Sequence, residues 1–149
     1  MTARVGTAGL CARFTTVRPV MNNSMDDAGC CLLSVAWNVA PLTEGRPDSR
    51  RGDLRRRVVA VCRTAGHGAR DWATRNGTGT EAEYRPFLQL ADVAYEIATL
   101  LQLVEDFLVP DLEREHRRWA EIEELASRMT ELADWTSGFL SLSGSALRA

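Results

Sequence analysis

Between residues 87 and 108 the apolar residues recur at alternating steps of three and four: Phe87, Leu90, Ala94, Ile97, Leu101, Val104 and Leu108. That period belongs to an α-helix and to no strand. Val93, Leu100, Leu103 and Phe107 widen the apolar face, leaving Gln89, Asp92, Glu96, Thr99 and Asp106 as a narrow polar stripe. A helix apolar over most of its circumference is central in a fold or sits at a subunit interface. No segment alternates apolar and polar residues over a strand's length, and no repeat of 20–50 residues is visible. The expectation is an all-α fold. It is a helical bundle of three long helices plus a short N-terminal helix, with a flexible N-terminal extension and a flexible C-terminal tail.

The other helices are placed around this one. In residues 27–40, Cys31, Leu32, Val35, Ala36 and Val39 fall at helical spacing, and Pro41 ends the segment. Residues 43–49 hold Gly45, Pro47 and Asp48 and read as a loop. A second helix runs from about Ser49 to Arg75 on the stripe Leu54, Val58, Cys62, Ala65, Ala69 and Trp72. Gly66 and Gly68 interrupt it, each costing about 1 kcal/mol relative to alanine, so a kink or break near His67 is expected. Asn76-Gly77 is a stop signal. Thr80 with Glu83 three residues on is the capping-box pattern that starts the third helix. Pro110 suits the first turn of a fourth helix, or kinks one long helix. That fourth helix extends to about Trp135 on Leu112, His116, Trp119, Ile122, Ala126, Met129 and Ala133. The domain boundaries follow: residues 1–25 as an extension, 26–135 as one helical-bundle domain, 136–149 as a loose tail. The extension carries Arg4, Arg13 and Arg18 with no acid before Asp26. It reads as a transit segment or as a start placed too early, since Met21 and Met25 offer later ones.

Charge is divided unevenly. All 18 basic residues of the 149 are arginine, a usage that a GC-rich genome produces. Residues 1–75 carry twelve arginines against six acids, a net of +6, and residues 76–149 carry six against fourteen, a net of −8. Such halves either face each other across a helix interface or present opposite faces to partners. Cys11, Cys30, Cys31 and Cys62 form no metal-knuckle spacing. Without a signal peptide, reduced thiols in a cytoplasmic protein are expected. No apolar run reaches the length of a membrane span.

Three constellations bear on function. Arg46, Arg50, Arg51, Arg55, Arg56, Arg57 and Arg63 lie close together, and of these Arg50, Arg51, Arg55, Arg56 and Arg57 are the candidates for anion or nucleic-acid binding. The aromatic residues expected of a single-strand binder are missing from this stretch, and the competing expectation is a solvated face that pairs with the acidic half of the chain. Glu113 precedes His116 by three residues, the helical spacing at which di-iron carboxylate bundles hold a metal. Glu96 would be a further ligand, but no second Glu/His pair exists. Glu121, Glu124, Glu131 and Asp134 spell ExxE then ExxD, which resembles the magnesium-binding helices of all-α nucleotide pyrophosphohydrolases. In that family the pairs sit on separate helices, whereas here both fall on one, the layout of a solvated acidic face. No nucleophile arrangement or phosphate loop is present, and no cofactor is expected.

The leading expectation is a non-enzymatic helical protein that acts by protein–protein association, as a homodimer or as an accessory subunit of a complex. Its interface candidates are Val93, Leu100, Leu103 and Phe107 on the wide apolar face, with Trp135 and Phe139 beyond it. Nucleic-acid binding through the arginine cluster is the alternative. A metal-dependent all-α enzyme using carboxylates of the third and fourth helices is a second alternative.

Overall fold

A computed structural model describes residues 24–43, 50–105 and 112–148. They form four α-helices: α1 (Met25–Val39), α2 (Arg50–Asn76), α3 (Glu81–Glu105) and α4 (Leu112–Arg148). A 3-10 turn, Ala40–Thr43, follows α1, and no strand occurs among the described residues. The fold is all-α, with one short helix and three long ones, as the periodicity predicts. The expectations for residues 1–23, the 44–49 loop, Phe107 and the break or kink at Pro110 lie outside the described residues.

Local chemistry sets the helix starts. Ser24 caps α1, its hydroxyl accepting from the Asp27 amide at 3.1 Å, while Asp26 and Asp27 complement the positive helix end. The Met25 amide donates to the Thr78 carbonyl at 2.8 Å, so the turn between α2 and α3 satisfies one of the open donors of α1. Met25 is fully buried; it belongs to the core and not to the extension. Gly77 and Gly79 have φ of +87° and +78°, the left-handed region that lets this turn reverse within four residues. The capping box at α3 forms as its spacing predicts: the Thr80 amide donates to Glu83 Oε1 at 2.8 Å, and the Glu83 amide to Thr80 Oγ1 at 3.3 Å.

The helix does not break near His67: α2 is continuous from Arg50 to Asn76. Gly66 serves a close crossing instead. A Cβ on Gly66 would lie 2.8 Å from Leu33 Cγ, and one on Gly29 of α1 would lie 2.8 Å from the Gly66 carbonyl oxygen. The missing side chains let α1 and α2 approach backbone to backbone, and an ion pair between Arg70 and Asp26 (3.2 Å) ties the same crossing.

The C-terminal tail is also corrected. α4 continues through residues 136–148, and side chains between Phe139 and Ser143 find partners there. Phe139 packs on Trp72 (centroids 5.6 Å apart) and edge-on against Phe87 (5.9 Å). Leu140 fills the space left by Gly68, and Trp72 Nε1 donates to Ser143 Oγ at 3.1 Å. These contacts outweigh the weak helix propensity of the Ser- and Gly-rich sequence.

α3 packs against α1, α2 and α4, whereas α1 and α4 do not meet among the described residues. Residue pairs between α2 and α4 advance together, Arg50 with Glu123 and Trp72 with Ser143, so these two helices run parallel. Ile122, Met129 and Thr136, seven residues apart, are the fully buried positions among the described side chains of α4. By length and composition alone α3 would also cross a membrane, with a mean hydropathy of 1.3 in its most apolar window. This corrects the expectation that no run is long enough. More than half of that window, 56%, is buried among the other helices, as in the core helix of a helical protein.

Candidate protein-interaction face

The wide apolar face of α3 is consumed inside the chain. Val93 and Leu100 are 4% and 8% exposed, and Leu103 is half-buried against the same core. Val93 and Leu100 are therefore closed within the fold. The physical reason is that α3 touches three helices, so it needs apolar residues around most of its circumference.

What stays open lies on α4. Trp135 is 46% exposed and Leu142 is 74% exposed. Seven residues apart, they share one face of the helix. Trp135 stacks on half-buried Phe139 (5.4 Å, 8° between planes) and meets the edge of Phe87 at 6.5 Å. The indole is thus braced from beneath while its outer surface faces solvent. Trp37 on α1 is 78% exposed, with no second exposed large apolar side chain on that helix among the described residues. Trp135 and Phe139 were named as interface candidates from the sequence. Leu142 was not, although the spacing Glu121, Arg128, Trp135, Leu142 marks the whole face at a strict period of seven.

The same face continues toward the N-terminus of α4 as one wall of a groove. α3 supplies Asp92, Val93, Glu96 and Leu100, and α4 supplies Glu121, Glu124, Leu125, Arg128 and Glu131, around a volume of about 790 Å³. Polar and charged side chains make up most of its lining, with five carboxylates against the single Arg128. Desolvation by the groove walls, and then the neighbouring Glu96 carboxylate, raise the Asp92 pKa above the ordinary carboxylate value, while Arg128 opposes the rise. The ExxE-then-ExxD pattern is split. Glu121, Glu124 and Glu131 line this groove, whereas Asp134 lines a second one of about 570 Å³ between α2 and α4, walled by small residues such as Ala60, Ala65, Gly68, Ala133 and Ser137.

Of the metal candidates, Glu96 lines the groove between α3 and α4. His116 is exposed and does not line the groove that holds Glu96. The Glu113 side chain lies outside the described residues. Among the described residues no group of three or more His, Cys, Asp or Glu side chains is placed to hold a metal ion.

The arginine cluster does not form a free basic stripe either. Arg50 pairs with Glu123 and stacks over Trp119, 4.0 Å from the ring centroid. Arg56 pairs with Asp53, and Arg57 donates to the Thr130 hydroxyl of α4. Arg55 is buried, and Arg51 is partly buried and engaged. The basic half of the chain is directed in part at its own acidic half, which supports the competing expectation of an intramolecular face.

Cys30, Cys31 and Cys62 are free thiols. Burial pushes the Cys62 thiol up to about 12, so it stays protonated and inert. Comparison with protein-family models, with curated protein sequences and with solved structures finds no match to this chain.

Proposed function

We propose that this chain is a non-enzymatic helical protein, its four helices acting as one bundle that presents the outer face of α4 to another protein. The observation that carries the reading is the pair Trp135 and Leu142. Two large apolar side chains stand exposed one heptad apart, and the indole is held rigid by Phe139 and Phe87. A rigid, half-exposed tryptophan is the residue type that dominates binding energy at protein interfaces. Ordering it costs little on association, because its ring is already braced.

The test is affinity purification from the native host with wild-type chain and with a Trp135→Ala/Leu142→Glu variant. Both changes are at exposed positions, so helicity by circular dichroism should be retained. A protein partner held in stoichiometric amount by the wild type and lost by the variant is the expected result. Recovery of the same proteins by both chains, or of the chain alone, would sink the proposal.

A further inference from the structure

We infer that the partner on the outer face of α4 is a second copy of this chain, the two α4 helices crossing antiparallel about a two-fold axis at Gly138. The inference rests on the association proposed above and names its occupant. It starts from a glycine that nothing inside the fold requires. Gly29, Gly66 and Gly68 each admit a close approach within the chain, where an added Cβ would lie 2.6, 2.8 and 2.4 Å from another atom. Gly77 and Gly79 hold positive φ. Gly138 is exposed within α4 with nothing inside 4 Å of its Cβ position, so it weakens the helix for no contact of the chain's own. It stands three residues after Trp135 and four before Leu142, on the face they share. The α1–α2 crossing demonstrates what such a residue admits: a second helix at backbone distance, with Gly29 meeting Gly66.

The face is also neutral. Residues 135–147 hold no arginine, aspartate or glutamate in a chain that is 26% charged, and the exposed positions between Trp135 and Leu142 are Ser137, Gly138 and Ser141. Loss of charge around an aromatic residue marks the centre of an interface and not a solvated helix face. Nucleic acid or a strongly charged segment would find no counter-charge along this stretch. A two-fold pair instead opposes the patch with itself. With the axis at Gly138, glycine faces glycine, and Trp135 of each copy lies against Leu142 of the other. Asp134 and Glu131 then stand about 12 and 21 Å along the helix axis from their counterparts, farther than the Debye length of about 8 Å. A parallel pair would set each of those acids against its own copy, so charge selects the antiparallel order.

Sedimentation velocity of the full chain should show a concentration-dependent monomer–dimer equilibrium with a dissociation constant on the order of micromolar. Gly138→Ala and Trp135→Ala should each weaken it roughly tenfold. Raising the salt should leave it within about twofold, because no charges meet at the crossing. Ala120→Leu, at an exposed position about 27 Å from Gly138 along α4, should leave the dimer unchanged. Below the dissociation constant, where the chain is a monomer, Gly138→Ala should raise the urea midpoint. A methyl group that stabilises the single chain yet weakens the pair is a result that no role confined to one chain produces. In the host purification, the protein retained by the wild type is then an untagged native copy, told from the tagged bait by its mass. A chain that stays monomeric at about 100 μM while holding a different protein through Trp135 and Leu142 overturns the second copy and leaves the association proposal standing. A dimer indifferent to Gly138→Ala, or one that salt dissociates, also overturns the inference. A monomeric chain that loses no protein on Trp135→Ala/Leu142→Glu refutes both readings.

Discussion

Replacing Gly29 by alanine tests the α1–α2 crossing on which the core is built. The new Cβ would lie 2.6 Å from Arg70 Cγ, 2.8 Å from the Gly66 carbonyl oxygen and 3.2 Å from the Arg70 amide nitrogen. Two of those three atoms are backbone of α2, so no side-chain rotation relieves the contact and the helices must part. Overpacking of this kind costs about 1–3 kcal/mol. Alanine in a helix interior recovers about 1 kcal/mol over glycine. The net expectation is a loss of about 1 kcal/mol, or a melting point roughly 2–4 °C lower for a chain of this size. Gly138→Ala supplies the control. It lies in α4 with nothing within 4 Å of its Cβ position, so it should show the propensity gain alone, about 1 kcal/mol of stabilisation. The two substitutions are chemically identical and should move the urea midpoint in opposite directions at unchanged m-value. If Gly29→Ala stabilises as much as Gly138→Ala, the close crossing is not part of the fold, and the reasoning fails.

Other consequences are as direct. Thr80→Ala removes the capping box of α3 and should cost about 1 kcal/mol in chemical denaturation, with no change in oligomeric state. Met129→Ala, at a fully buried position of α4, should cost about 2–5 kcal/mol, whereas Leu142→Ala should stay within about 0.5 kcal/mol; similar losses for both would place Leu142 in the core. Cys62 should resist iodoacetamide at pH 8 until denaturant is added, because a thiol held near 12 has a thiolate fraction about a thousandfold below an ordinary one; mass spectrometry of the labelled native chain reads this directly. Asp92 binds its proton more readily in the folded chain than in the unfolded one. Its charge therefore weakens the fold above the raised pKa, and the penalty fades as pH falls through that value. Asp92→Asn should raise the urea midpoint at pH 7 and leave it unchanged in acid; an equal effect at both pH values would rule out the electrostatic cause.

Local signals in the sequence were read correctly where their chemistry is itself local. The Thr80–Glu83 box spans four residues, and the 87–104 stripe repeats the helical period along one segment, so neither needs knowledge of a partner. Reading failed where a residue answers to something distant in the chain. Gly66 looks like a helix interruption because its propensity penalty is visible, while the Gly29 backbone it admits lies 37 positions away. Residues 136–148 look like a tail because serine and glycine favour coil, yet Phe139 and Leu140 are held by Trp72, Phe87 and Gly68. The candidate face was half legible. Trp135 and Phe139 stood out as aromatics off the main stripe, but Val93 and Leu100 were assigned to the same role. Apolar residues destined for a core and for an interface look alike in a sequence.

The sequence by itself determined that the chain is helical, where α3 begins, and which residues carry apolar and charged character, because propensity, capping and periodicity act between residues three or four apart. Tertiary structure alone decided which apolar face closed and which stayed open. It directed arginines of α2 at α4, brought carboxylates of α3 and α4 to one groove and left Trp135 and Leu142 in solvent. Those outcomes depend on which helices become neighbours. That choice is made by burial and close approach summed over the whole chain, and no single segment encodes it.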